Sequence, residues 1–418
     1  MQATFTKAEF PSIIKKSHFF DETLNKNYLN VLYDNQGNMW MRGGRPGILR
    51  SFEIRHEAFR NITEITQQEK NERKQFLTSI QKEHYFQFNT CYSDLPISIL
   101  HFQLRKNLRQ LKNELFYSKK FGIESFDLVT HKQQTIYYFG ERSSGTEIIE
   151  YDIKQVDRDY LIVLGRVDSV LQISKINYDD YAKEKRKKQT NNTPPFVSTV
   201  NISYPGEKEL VNYVKFISNN RLFTTSNDCC FRIHDLNESN KVFYQVQNDS
   251  PINHCEFLEE NNLLICVGDS TYTDIFDIRE KKKIHHINAN YDFGICIRSN
   301  PYNTNLFSTG NQDQSCKIWD IRNLNQSLHT LYGKIEAIGD VAWIDRNKIC
   351  YAEDALYFYI YDMLDNKQQD FTFLGYFNGM VYDKKKEMLY ISAQTDNAGG
   401  ILCYEKIDGL NSLYDYDL

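Results

Sequence analysis

The chain has 418 residues, a formal net charge of −5 and a sequence pI near 6.1, which excludes a globally basic nucleic-acid surface, since neutralising phosphates takes clustered Lys and Arg. No run of about 18 apolar residues occurs, and the start, MQATFTKAEFPSIIKKSHFF, lacks the continuous apolar stretch of a signal peptide, so no membrane partner is expected. The 28 Tyr and 27 Phe favour strands, where flat rings pack on a half-buried pleated surface, over helical bundles.

Residues 1–95 show no internal repeat and read as an N-terminal extension. Within it MRGGRPG (Met41 to Gly47) marks an exposed loop. The stretch Ile62 to Tyr85 has no Gly or Pro and many helix formers, which predicts a helix near 62–85. Its apolar residues Ile62, Ile65, Phe76, Leu77 and Ile80 form a broken stripe, the pattern of a solvated surface helix, the alternative being one that packs weakly on the rest of the fold or carries a partner. From residue 96 to 408 short apolar runs alternate with polar turns, a strand pattern, and 409–418 is left as a tail. A charged loop at 178–198 interrupts it; the basic run Lys183 to Lys188 there reads as solvated charge, with a nuclear-localisation signal or an anion patch as the alternative.

A repeat then becomes measurable. His234-Asp235, Phe276-Asp277, Trp319-Asp320 and Tyr361-Asp362 each end an expected strand, with intervals of 42, 43 and 42 residues between the aspartates; Tyr404-Glu405 follows 43 later. A turn acid precedes each of the first four: Asp228 and Asp313 six residues before their aromatic or His, Asp269 and Asp354 seven. Asp168 opens an equivalent hairpin upstream.

With its Gly-Asn-Gln-Asp turn and closing Trp-Asp, LFSTGNQDQSCKIWDIR (Leu306 to Arg322) resembles the central hairpin of a WD-repeat β-propeller blade, and the period fits the 40 to 45 or so residues of such a blade. The fold expected is all-β, a seven-bladed WD-repeat propeller with a partly helical N-terminal extension. Blades are placed near 104–142, 145–205, 210–247, 251–289, 291–331, 335–373 and 375–406. A ring with open edges is unstable in solution, so Pro96–Gln103 or Asn30–Trp40 is expected to supply the outer strand of the last blade. TTSNDCCFRIHD, VGDSTYTDIFDIR, STGNQDQSCKIWDIRNL and GKIEAIGDVAW together resemble a fungal and plant transducin-like WD-repeat group, which implies a non-enzymatic scaffold or adaptor. The family's hydrogen-bonded tetrad begins with a Gly-His dipeptide, which this chain lacks; Asp313 and Trp319 with Ser308 or Thr309 are left to form part of it.

The nine cysteines follow no framework spacing and fall mostly in expected strands, which predicts buried thiols in a cytoplasmic and/or nuclear protein. Cys229-Cys230 near His234, and His285-His286, do not make a metal site, because neighbours on a strand face opposite sides. No Cys-x-x-Cys, phosphate-binding Gly loop or Gly-x-Ser-x-Gly turn appears, so neither an enzyme nor a cofactor is expected. The expected partners are other proteins, the chain alone being monomeric. Asp277-Ile278-Arg279 and Asp320-Ile321-Arg322 are similar to the motif by which WD-repeat substrate receptors dock on a cullin-type ubiquitin-ligase adaptor, making Arg279 and Arg322 candidate contacts beside the alternative that each pairs locally. Rim positions next to turns, Asn227, Gln312 and Glu353 with Tyr291 and Arg142, are further candidates. RNA or ribonucleoprotein binding through the basic loop is a second alternative, against which the net acidity weighs.

Overall fold

A computed structural model describes residues 31–33, 39–41, 67–93, 95, 108–119, 122–138, 148–157, 159–166, 170–177, 196–203, 211–237, 241–394 and 399–407. Arg142, Asp168, the basic run 183–188, Pro96–Gln103 and the tail 409–418 lie outside them.

Short runs rich in aromatic and β-branched residues form the strands, and they group into sheets at the expected period. In the N-terminal extension, β1 (Val31–Tyr33) and β2 (Met39–Met41) pair with each other, followed by helix α1 (Gln67–Ser79), β3 (Gln81–Lys82) and β4 (Phe86–Ser93). Blade one holds β5 (Leu108–Leu111), β6 (Glu114–Lys119), β7 (Gly122–Asp127) and β8 (Gln133–Tyr138). Blade two holds β9 (Ile148–Val156), β10 (Asp159–Arg166), β11 (Val170–Asn177) and β12 (Phe196–Ser203). Blade three runs through β13 (Val211–Phe216), β14 (Arg221–Ser226), β15 (Cys230–Asp235) and β16 (Lys241–Gln247). Blade four has β17 (Ile252–Leu258), β18 (Leu263–Gly268), β19 (Tyr272–Asp277) and β20 (Lys282–Asn288). Blade five has β21 (Gly294–Ser299), β22 (Leu306–Asn311), β23 (Ser315–Asp320) and β24 (His329–Tyr332).

The last two blades share a strand. β25 (Ile338–Trp343), β26 (Lys348–Glu353) and β27 (Ala355–Asp362) are followed by the 17-residue β28 (Lys367–Asp383). Its first part pairs with β27 as the outer strand of blade six, and from Tyr376 onward it pairs with β29 (Met388–Gln394) as the inner strand of blade seven. β30 (Gly399–Lys406) follows, and beyond it lies β4. Each inner strand from β5 through β9, β13, β17, β21 and β25 touches the next, and β28 reaches back to β5, closing a ring of seven blades. Seven apolar clusters fill the seven interfaces between consecutive blades, so the core is a ring of interblade layers.

The closing strand differs from expectation. Phe86–Ser93 pairs antiparallel with β30 from Lys406↔Phe86 to Gly400↔Ser93, whereas the described residues of Asn30–Trp40 pair with each other in β1 and β2. Chain order explains the choice: β4 follows β3, which already lies against the start of β28 in blade six, so the chain enters blade seven without a long loop. Helix α1 stops at Ser79 rather than near Tyr85, residues 62–66 lying outside those described, and it is docked rather than solvated. Phe76 meets Tyr332 edge-on at 5.8 Å, and Phe76 and Ile80 join the core between blades five and six. The apolar residues of the described helix gather in its last turn, and Arg73, which donates to Gln314 Oε1 and the Asp313 carbonyl, ties its middle to blade five.

The repeated aspartates share one physical task. Asp127, Asp235, Asp277, Asp320 and Asp362 each end the third strand of a blade, and each accepts the backbone N–H two residues on at 2.8–2.9 Å. That bond turns the chain toward the outer strand. In the other turn, Asp228 and Asp313 accept the N–H of Cys230 and Ser315, both at 2.9 Å. The tetrad is partial: Trp319 Nε1 donates to Thr309 Oγ1 at 3.3 Å, while Ser308 Oγ donates to the Arg298 carbonyl. His234 lies 3.2 Å from Thr224 Oγ1, taking in blade three the place Trp319 has in blade five.

Candidate protein-interaction site

The inner strands carry a ladder of opposite charges between neighbouring blades. Arg109 on β5 meets Glu150 at 2.6 Å and Asp152 at 3.6 Å on β9. Lys215 on β13 meets Glu256 on β17 at 2.9 Å, and Ser299 Oγ donates to the same carboxylate at 2.8 Å. Arg298 on β21 faces Asp340 on β25 at 3.9 Å, and Asp340 accepts the Met380 N–H of blade seven at 3.0 Å. Burial alone would raise the Glu256 carboxyl, but Lys215 and Arg298 outweigh it and hold it below the usual range. For Lys215 burial is likewise outweighed, by Glu256, and its ammonium is held above its usual value. These groups satisfy one another, which identifies them as interblade fasteners.

The expected rim contacts divide. Tyr291 is exposed, with its N–H bonded to Asp313 at 3.0 Å and the Lys317 ammonium 5.5 Å from its ring centre. Gln312 is buried, and Asn227 accepts a bond from Asn212 Nδ2 at 2.6 Å. Glu353, expected as a contact, is fully buried: it accepts the N–H of Ile335 at 3.2 Å and of Glu336 at 2.8 Å, with Lys334 N–H and Tyr359 Oη also donating to it. Three successive amides wrap that carboxylate, so it holds the loop entering blade six and offers nothing outward. The turn acids Asp269 and Asp354 are half-buried: Asp269 accepts from Asn253 Nδ2 at 2.9 Å, and the Asp354 backbone N–H donates to the Ala337 carbonyl at 3.0 Å.

Glu336, beside that loop, is raised from its usual 4.5 to about 8, first by burial and then by Asp354 and Glu353. The folded chain therefore holds a proton there that the unfolded chain releases, so this group makes stability fall as pH rises from about 4.5 to about 8 and level off above. Glu336→Gln is expected to change thermal stability little at pH 5 and to stabilise by about 1–2 kcal/mol at pH 9, a value discounted for partial exposure. Melting curves of both proteins at the two pH values check this; equal differences at both would refute it.

Arg279 and Arg322 occupy matching places past the third strands of adjacent blades. Arg279 meets Asp277 at 3.3 Å and Arg322 grips Asp320 through Nε at 2.9 Å and Nη2 at 2.6 Å, yet the two side chains remain 67% and 68% exposed. Asp277 is held below the usual carboxyl range by the Glu280 amide and Arg279, Asp320 by Arg322. Each guanidinium is thus oriented by its own turn while keeping donors for a partner.

Among the described residues no three His, Cys, Asp or Glu side chains gather to hold a metal ion, and no helix is long and apolar enough to cross a membrane. None of the nine cysteines is disulfide-bonded, and seven of them are buried. The family model for the WD domain, G-beta repeat, matches residues 281–320, from the last turn of blade four through the third strand of blade five. The chain is a WD-repeat β-propeller.

Similarity to curated proteins is partial. A ribosome biogenesis protein WDR12 homolog of Drosophila willistoni is 24% identical over 41% of this chain and 40% of its own length. The RbAp48-related WD40 repeat-containing protein prw1 of Schizosaccharomyces pombe is 28% identical over 28% of this chain and 30% of its own, and the E3 ubiquitin-protein ligase COP1 of Arabidopsis thaliana is 24% identical over 28% and 17%. This WD-repeat propeller therefore spans less than half the length of those relatives. A chain in a crystal structure of a mitotic checkpoint complex superposes with a TM-score of 0.61 at 11% identity, over 79% of this chain and 96% of that one, which shows a shared fold.

The inner-strand ladder was missed by sequence reasoning, although Arg109 to Glu150, Lys215 to Glu256, Glu256 to Arg298 and Arg298 to Asp340 are each 41 or 42 residues apart. The sign changes from blade to blade, so no one residue type repeats.

Proposed function

We propose that this propeller is a non-catalytic protein-interaction scaffold of the nucleus and/or cytoplasm. One observation carries the reading: the inward-facing charged groups are committed to turns and interblade fasteners, while Arg279 and Arg322 stand equivalent and outward on adjacent blades. Free buried thiols agree with a reducing compartment. The paired Asp-x-Arg turns favour a second reading, a substrate receptor of a cullin-type or other multisubunit ubiquitin ligase, and similarity to a protein named as an E3 ubiquitin-protein ligase supports it. The WDR12 homologs, named for ribosome biogenesis, keep a ribonucleoprotein partner as the competing outcome.

Affinity purification of the tagged chain beside an Arg279→Ala, Arg322→Ala double variant tests these readings. Both arginines are exposed, so their ion pairs contribute little to folding and the variant is expected to melt much as the wild type does. Ligase subunits captured by the wild type and reduced about tenfold or more in the variant, the scale of a hot-spot arginine, establish the receptor role. An unchanged partner set assigns the arginines to their turns alone, and capture of no protein partner by either form overturns the scaffold reading.

A further inference from the structure

A second exposed feature lies at the outer side of blades three and four. β16 is the last strand of its sheet, so one edge of Lys241–Gln247 has no strand partner among the described residues. At its start Val242 and Phe243 are both exposed, Phe243 by 48%, while Tyr244 turns inward. A register shift between Ile233 and His234 leaves Phe243 as the extra residue of a bulge, lifted out of the ladder. Two cations flank it. The Arg221 guanidinium lies 4.7 Å from the Phe243 ring centre, and the Lys281 ammonium, reaching over from the turn of blade four, lies 5.6 Å from it and 5.5 Å from that of Tyr244.

Neither cation is in an ion pair among the described residues, unlike nearby Arg279 and Lys282, which meet Asp277 and Glu280. Both are exposed and held over aromatic faces, which fixes their direction without neutralising them. An aromatic seat between two unneutralised cations, beside an open strand edge, is complementary to an extended chain carrying carboxylates next to an apolar side chain. The exposed Glu280 in the same turn and the net charge of −5 oppose a long polyanion or an anionic membrane. We infer that the outer edge of blade three, with Arg221, Phe243 and Lys281, is a docking site for an extended acidic peptide segment of a partner protein.

This deepens the scaffold reading and rests on it, but involves neither Arg279 nor Arg322. The probe is a fluorescent peptide of alternating Glu and Leu, titrated against the full chain at low and at physiological salt, with a Ser-for-Glu peptide, single-stranded RNA and phosphatidylserine vesicles as competitors. Saturable binding is expected, weakened by salt and about tenfold by Arg221→Gln with Lys281→Gln. Phe243→Ala is expected to weaken it comparably, and Arg279→Ala with Arg322→Ala to leave it unchanged, which separates this site from the ligase reading. Circular dichroism and melting curves confirm that the variants fold. No binding, equal binding by the charge variant, or preferential displacement by RNA or vesicles overturns the proposal.

Discussion

Deleting residues 1–93 is expected to abolish the soluble monomer, and adding a synthetic peptide spanning residues 80–95 is expected to restore part of it. The deletion removes β4, which pairs with β30 at seven positions. It also takes away Phe86, buried between blades six and seven, and the bonds by which Gln369 binds the Phe86 N–H at 2.9 Å and its carbonyl at 2.8 Å. Burying one such ring contributes about 1.5–3 kcal/mol, and the ladder bonds about 1 kcal/mol each net. Together they approach the whole stability of a typical domain, about 5–15 kcal/mol. The bared β30 would present Ile401 to Tyr404 along an open edge, a template for association. Size-exclusion chromatography with light scattering reads the outcome; a stable, monomeric truncated chain would show that the ring holds without its closing strand.

Why that strand escaped the sequence while the blades did not is a matter of period. The Asp-turn positions are legible because one residue type performs one task, accepting the N–H two residues on, at each of Asp235, Asp277, Asp320 and Asp362. The blade boundaries follow from that spacing. β4 belongs to the same ring but precedes the first repeat, and FQFNTCYS follows directly on a stretch read as helix through Tyr85. Its alternating Phe86, Phe88, Thr90 and Tyr92 form a clear strand pattern once the helix is seen to stop at Ser79. The double use of β28 was hidden for the opposite reason: no polar turn separates blades six and seven, because one strand continues through both. Among the candidate contacts, sequence position alone could not distinguish Tyr291, whose ring faces outward, from Glu353, whose carboxylate is enclosed by backbone amides. Both sit beside turns, and the direction of a turn side chain is set by the packing of neighbouring blades.

Glu256→Gln is expected to destabilise the ring by about 2–4 kcal/mol at pH 7, somewhat less than breaking a fully buried pair because the Lys215 side chain keeps part of its exposure. The substitution leaves Lys215 and Arg298 facing each other across blades three to five with no carboxylate between them, and removes a charge that accepts from both Lys215 and Ser299. The pH dependence gives a sharper signature than the size of the loss. The folded Glu256 carboxyl is held below its usual value, so its contribution is complete above about pH 4.5 and disappears as pH falls through the folded value. The difference between wild type and variant should therefore shrink toward strongly acidic pH, the reverse of the behaviour expected at Glu336. Lys215→Met combined with Glu256→Gln should recover most of the loss, because the costly state is one unpartnered buried charge rather than the absence of the pair. Denaturant melts of the wild type, the two single variants and the double variant, at pH 7 and at strongly acidic pH, measure the coupling directly. Additive losses with no pH dependence would mean that the ladder contributes through packing alone, and that the apolar layers between blades hold the ring without it.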